Sequence, residues 1–235
     1  MSYACRLLVL IFLGLSGFAG AQQQSVAPGI NERFLENRNF GEFIDQFERE
    51  GREIFDNRHA IVKEVGLKPG MAIADIGAGS GLFTQMFAKE VGPKGKVLVL
   101  EINAAMVESI VRRMREEGHR NVEGYVGTAK TMPLPPASID VAFTSDVYHH
   151  FEYPQIMLQA IRAALKPGGT FIVVDFERIP GVSSERILSH VRAGKETVIK
   201  EVEAEGFRMV EERKIMKQNY FVRFVKQGSG DEVIK

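Results

Sequence analysis

The chain has 235 residues, with 30 basic residues against 30 acidic residues and one cysteine, Cys5. A length of this order suits one domain with a full core, and the balanced charge gives no reason to expect a nucleic-acid partner, which would favour a basic patch or stripe. A single cysteine excludes a disulfide within the chain and a metal site built from several thiolates.

Residues 1–21 have the pattern of a secretory signal peptide. Arg6 is their only charged residue, an apolar run covers residues 7–18, and small residues precede Gln22. The run is shorter than the roughly 20 apolar residues that a membrane-spanning helix needs. We therefore expect a cleaved signal, an exported protein and no stable membrane span after cleavage, with an uncleaved membrane anchor as the alternative.

Residues 22–56 are predicted to form a polar linker followed by one or two amphipathic helices. Phe40, Phe43 and Phe47 lie near helical spacing among charged residues. These helices either cover an edge of the core or form a lid over a substrate pocket. Residues 57–226 are predicted to form the main domain, and residues 227–235 a flexible tail.

An apolar strand over residues 71–74 leads into a glycine-rich turn, residues 75–81 with the sequence D-I-G-A-G-S-G, and then into a helix. Glycine has no Cβ and tolerates positive φ, so backbone amides can pass close beneath a ligand. Open α/β sheets bind ligands at such a turn. The dinucleotide fingerprint needs a small residue where this chain has Leu82. The Asp75 carboxylate would repel a pyrophosphate but would suit a ligand that carries an ammonium and a sulfonium.

Further polar positions follow the next predicted strands. Strand two, residues 96–100, ends at Glu101, and an acid at that place accepts hydrogen bonds from ribose hydroxyls in several cofactor-binding folds. Strand three covers residues 122–127 and strand four residues 141–144. Glu101 by itself does not decide between a dinucleotide and another adenosine-containing cofactor.

With these motifs, residues 57–225 resemble the class I S-adenosylmethionine-dependent methyltransferases, whose first motif has the form (D/E)-x-G-x-G-x-G. The resemblance implies an α/β fold with a Rossmann-like, doubly wound sheet of seven strands in the order 3-2-1-4-5-7-6, an antiparallel last strand, and S-adenosylmethionine as the cofactor. It also implies that Ile102 packs on adenine. The family usually has an acid where this chain has Thr128. The implied cofactor-binding residues are Asp75, Gly77, Ala78, Gly79, Gly81, Glu101, Ile102, Thr128, Ala129 and Asp146.

The segment S-D-V-Y-H-H-F, residues 145–151, contains the candidate catalytic groups. In the resembling family it lies beside the methionine end of the cofactor and faces the acceptor. Histidine has an unperturbed pKa near 6.5, and a hydroxyl or amine loses a proton as it takes a methyl group. His149 or His150 is therefore the predicted base, with a structural or pocket-shaping role as the alternative for each. Asp146 is expected to position its neighbours, and no metal site is predicted, because this set matches no familiar ligand spacing.

The remaining chain is predicted to contain a helix over residues 153–165, ended by K-P-G-G at 166–169, a fifth strand over residues 170–176, a helical region that includes His190, and two final strands at 207–210 and 220–225. Three functions stay open. The first is methyl transfer to a small-molecule or lipid-like acceptor by in-line displacement, and the second is a non-catalytic cofactor-binding protein. The third, a nicotinamide-dependent dehydrogenase, is disfavoured by Leu82 and by the absence of a Tyr-x-x-x-Lys pair. The oligomeric state stays open as well.

Overall fold

A seven-stranded sheet organises the computed structural model, which describes residues 22–36 and 39–228. The strands are β1 Ala72–Ile76, β2 Lys96–Glu101, β3 Val122–Val126, β4 Ile139–Ser145, β5 Leu165–Phe176, β6 Phe207–Arg213 and β7 Asn219–Lys226. Their order is β3-β2-β1-β4-β5-β7-β6, and β7 runs antiparallel to both neighbours. The predicted strand order is confirmed. The predicted signal segment and residues 229–235 of the predicted tail lie outside the described residues.

Helices cover both faces of the sheet and connect most of its strands. They are α1 Glu32–Glu36, α2 Phe40–Phe47, α3 Glu53–Asp56, α4 Arg58–Val65, α5 Leu82–Val91, α6 Ala104–Glu116, α7 Pro154–Ala164, α8 Glu185–His190 and α9 Lys195–Ala204, with a 3₁₀ turn at Tyr148–His150. The Asn103 side chain caps α6 by accepting hydrogen bonds from the amides of Ala105 and Met106. Among the helices of the described ranges, none is both long and apolar enough to cross a membrane.

The central strands are buried on both faces, and this explains their nearly continuous apolar sequence. Every residue of β1 is buried. Ala72, Ala74 and Ile76 pack on the side covered by α7 and α9, whereas Ile73 packs on the side covered by α4, α5 and α6. The residues at the carboxyl ends of β1, β2 and β4 therefore project from a firmly packed layer.

The start of β5 differs from the prediction. The K-P-G-G segment was expected to end a helix and precede a strand that begins at residue 170, but α7 ends at Ala164 and β5 begins at once with Leu165. Pairing with β4 is irregular between Ile139 and Val141. The Lys166 ammonium also bonds both carboxylate oxygens of Asp140, at 2.9 and 2.8 Å. Leu165 pairs with Ile139 and Thr170 with Val141, so residues 166–169 form a bulge near the start of β5.

Candidate active site

One large cavity opens at the carboxyl ends of the central strands. The space between its walls is about 1440 Å³, with the open solvent at its mouth included. The predicted site residues that line it are Asp75, Gly77, Ala78, Gly79, Glu101, Ile102, Thr128, Ala129, Asp146, His149 and His150. Gly81 does not line the cavity. It precedes α5 as its N-cap residue instead, with φ of 82°.

The glycine loop passes close to the segment that follows β4. Gly77 has φ of 71°, and a Cβ at this position would lie 2.5 Å from Cγ2 of Val147, so a larger residue requires the neighbouring segment to move. Gly79 has φ of 60°, and its Cβ would lie 3.4 Å from the Phe47 ring. The loop therefore leaves a narrow cradle in which backbone groups, rather than side chains, face a ligand.

Two buried carboxylates face this cradle. Asp75 is 3% exposed and accepts a hydrogen bond of 2.6 Å from the Thr84 hydroxyl. Burial raises the pKa of Asp75 to about 7, although the hydrogen bond from Thr84 opposes the shift. A cation beside this carboxylate would favour its ionised form, so Asp75 is suited to a positively charged ligand.

Glu101 is 8% exposed, at the end of β2. Its Oε1 accepts from the Gly79 amide at 2.7 Å and its Oε2 from the Ile102 amide at 3.1 Å. Burial raises the pKa of Glu101 against the effect of these amides. Each carboxylate oxygen has two lone pairs, so Glu101 can still accept a pair of ribose hydroxyls. Together with Asp75 and the glycine cradle, this fits a cofactor that carries a ribose and an ammonium.

Thr128 lies at the rim, where the family usually has an acid. Its hydroxyl is 2.9 Å from the Thr131 hydroxyl and accepts from the Lys130 amide at 3.1 Å. The side chain thus closes a local turn, while Ala129 continues the cavity wall.

His149 forms a buried pair with Asp175. The imidazole is 2% exposed, and its Nδ1 lies 2.8 Å from Oδ1 of Asp175. Burial works against a charge on His149, but the Asp175 carboxylate outweighs it and raises the pKa of His149 above the usual value. The amide of Phe176 also donates to Oδ1, at 2.8 Å. Asp175 therefore orients the ring and leaves Nε2 for contact with a ligand.

Two more imidazoles surround this pair. The His150 ring lies 4.3 Å from the His149 ring, and the His190 ring lies 5.0 and 5.1 Å from His149 and His150. Burial, followed by repulsion from His149 and His190, lowers the pKa of His150 to about 3. His150 is therefore neutral at physiological pH.

Sequence reasoning did not identify Asp175 as a partner of His149, and it did not group His190 with His149 and His150. Asp175 did carry a signal, because it is a carboxylate near the end of a buried strand, as Asp75 and Glu101 are.

The N-terminal helices contribute to the same cavity. Phe34, Phe47 and Arg52 line it. The Arg52 guanidinium bonds the Asp146 carboxylate at 2.6 Å, and Asp146 has φ of 62°, a conformation that non-glycine residues rarely adopt. The Asn31 amide donates to the backbone oxygen of His150 at 3.0 Å. Residues from this segment therefore contact the predicted site directly.

This combination of sheet order, glycine cradle and paired carboxylates is matched by a known family. Residues 67–227 fit the family model described as "Methyltransferase domain". The protein belongs to that family, among the class I S-adenosylmethionine-dependent methyltransferases, and S-adenosylmethionine is its cofactor. The predicted membership is confirmed, and the nicotinamide hypothesis is set aside.

The chain is also similar to individual methyltransferases of known name or known structure. The Ubiquinone/menaquinone biosynthesis C-methyltransferase UbiE of Hydrogenovibrio crunogenus is 32% identical over 123 residues, 52% of this chain and 48% of that protein. The chain thus spans about half the length of the curated relatives it matches. A SAM-dependent methyltransferase from Aquifex aeolicus is 25% identical in its crystal structure, with a TM-score of 0.70 over 80% of this chain and 98% of that chain. Phosphoethanolamine N-methyltransferase 2 of Haemonchus contortus, solved with S-adenosyl-L-methionine, shares the fold at 19% identity and a TM-score of 0.62, covering 80% of this chain and 60% of that chain.

Proposed function

We propose that this protein transfers the methyl group of S-adenosylmethionine to a small aromatic acceptor of the quinol class. The observation that carries the proposal is a single cavity that joins the cofactor cradle to a compartment lined by imidazole and phenylalanine rings. The names of the UbiE relatives, which are C-methyltransferases of quinone biosynthesis, support this class of acceptor.

In this proposal, Glu101 holds the ribose hydroxyls and Asp75 pairs with the ammonium of the cofactor. The backbone around Gly77 and Gly79 passes beneath the ligand because neither residue has a Cβ. Ile102, Thr128 and Ala129 bound the adenine end, as the family resemblance implies. These contacts fix the cofactor in one orientation.

When bound, S-adenosylmethionine would supply a methyl group on a positively charged sulfur, and that sulfur would keep the electron pair of the broken bond. His149 is the proposed base: Asp175 holds Nδ1, so Nε2 can take the acceptor's hydroxyl proton. His150, whose pKa is low, stays neutral and contacts the acceptor as a hydrogen-bonding group. The aromatic side chains of Phe34, Phe151 and Phe176 exclude water, and positioning supplies much of the rate acceleration.

The N-terminal helices are proposed to act as a lid over this cavity. The ion pair between Arg52 and Asp146 joins this segment to the edge of the cradle, and the hydrogen bond from Asn31 joins it to the backbone at His150. A lid that excludes water strengthens the electrostatic contacts within the site. Export through residues 1–21 stays a prediction.

Calorimetric titration of the full chain with S-adenosylmethionine and its demethylated product tests the cofactor site. We expect micromolar-scale binding, roughly −8 kcal/mol, that the Asp75→Ala variant loses. Hydroquinones, phenols and ethanolamine-type amines are then screened as acceptors by detecting the demethylated cofactor. Turnover with a hydroquinone supports the proposal, and turnover with amines alone overturns the acceptor class. Tight binding without turnover on any acceptor would favour the non-catalytic hypothesis.

A further inference from the structure

We propose that His149, His150 and His190 together bind a divalent transition-metal ion of the zinc class at the acceptor end of the cavity. The chain has five histidines, and these three gather in one place. Their available ring nitrogens lie within 4.8 Å of one another. The first two belong to the 3₁₀ turn after β4, and the third is the last residue of α8.

The spacing suits tetrahedral coordination after a small adjustment. Zinc binds imidazole nitrogens at about 2.0–2.1 Å, which places two nitrogens of a tetrahedral site about 3.3 Å apart. The observed upper limit of 4.8 Å therefore requires a closure of about 1.5 Å at most for any pair. His190 is on the exposed surface of a short helix, so its side chain can make this movement. Three imidazoles leave a fourth position open, which is the pattern of catalytic rather than structural zinc.

Two features of the contacts around the imidazoles suit a metal site. Nδ1 of His149 is held at 2.8 Å by the Asp175 carboxylate, an arrangement that fixes the ring and directs Nε2 toward an ion. Nδ1 of His150 is buried and has no hydrogen-bond partner within residues 22–36 and 39–228. Buried polar atoms in folded proteins are normally satisfied, and an ion bound by this ring would account for its placement among other imidazoles.

In a second set of possible ligands, Asp146, His149 and Asp175, the ligand atoms also lie within 4.8 Å of one another. The two carboxylates of this set, however, already have partners. Asp175 accepts from the His149 ring and from the Phe176 amide. Asp146 is paired with Arg52. The remaining donors are all imidazole nitrogens, which suit zinc, copper, iron or nickel and are poor ligands for magnesium and calcium.

The part of the inference that concerns the acceptor rests on the proposed methyl transfer. An ion at this place would hold the acceptor's hydroxyl oxygen in its open position and lower the pKa of that hydroxyl, so that the proton passes to water. His149 would then be a ligand and not the base. Metal binding itself does not depend on methyl transfer.

The test is titration of the chelator-treated full chain with ZnCl₂ by calorimetry, and with CoCl₂ by visible absorption. His190→Ala is the main variant because its side chain is exposed and its loss leaves the buried His149–Asp175 pair intact. His59→Ala, at an exposed histidine on α4, is the matched control. Asp175→Asn probes the residue that positions His149.

We expect one zinc ion per chain, a loss of at least about tenfold in affinity for His190→Ala, a loss of about 10- to 100-fold for Asp175→Asn, and no change for His59→Ala. The cobalt complex should show the absorption of a four-coordinate ion. Absence of zinc binding, or equal affinity in wild type and His190→Ala, overturns the proposal. Titration of the chelator-treated wild type with S-adenosylmethionine is a separate measurement, so failure of the methyltransferase proposal is distinguishable from failure of this one.

Discussion

The affinity for S-adenosylmethionine should increase as the pH rises toward 7, because Asp75 must be ionised to pair with the cofactor's ammonium. Burial raises the pKa of this carboxyl from 3.8 to about 7, so it is mostly neutral at pH 6. With a pKa of about 7, the ionised fraction is about 0.09 at pH 6 and about 0.5 at pH 7. The affinity should therefore increase about fivefold, or about 1 kcal/mol, over this unit of pH.

Above pH 7 the increase should level off. Asp75 is then largely ionised, and the ligand's own α-amino group, with an ordinary pKa of about 7.7–8.0, begins to lose its proton. Thr84→Val removes the hydrogen bond that favours ionisation of Asp75, so it should move the profile to higher pH.

Calorimetric titrations at pH 6, 6.5 and 7, each in two buffers of different ionisation enthalpy, measure both the affinity and the protons released. Asp75→Asn is the control, because it keeps the shape of the side chain and cannot ionise. Its profile should be flatter than that of the wild type, with any remaining slope assigned to Glu101, whose pKa burial also raises. Equal slopes in the two proteins would refute the assignment of Asp75 to the ammonium.

Three further predictions concern stability. Gly77→Ala should lose about 1–2 kcal/mol from its positive φ and about 1–3 more from overpacking, because its Cβ would lie 2.5 Å from a valine methyl. Gly118→Ala, with φ of 88° and nothing within 4 Å, should lose only the first part, and equal losses in urea unfolding would contradict the packing argument. Arg52→Ala should lower the free energy of unfolding by about 2 kcal/mol and speed hydrogen exchange in α2, since it removes the partly buried pair with Asp146. Arg52→Lys should have smaller effects on both. Unchanged exchange in both variants would contradict the proposal that the N-terminal helices form a lid. His150 has a folded-state pKa of about 3 against an ordinary 6.5, so its contribution to the free energy of unfolding is fully present above pH 6.5 and is lost as the pH falls. At pH 5 the loss should be about 2 kcal/mol. In thermal or urea unfolding, the stability of His150→Gln should therefore decline less steeply with falling pH, and an equal decline in both proteins would assign the effect to another group.

The sequence determined those parts of the protein that depend on a few neighbouring residues. An apolar run, alternating glycines and a following amphipathic stretch define strand, turn and helix, because backbone sterics and burial act over that range. Asp75 and Glu101 could be recognised because each ends or nearly ends a buried strand, and parallel strands bring such ends to one edge of the sheet. The family resemblance supplied the strand order and the cofactor.

Only the tertiary structure decided which distant side chains meet. His190 is far along the chain from His149, and the packing of α8 over the cavity is what brings the two rings within 5.0 Å of each other. The contact between Arg52 and Asp146 likewise depends on where the N-terminal helices settle on the sheet. Short-range patterns carry no information about such contacts, since they arise from the packing of whole elements. The cofactor cradle could therefore be predicted from the sequence, whereas the cluster of three imidazoles beside it could not.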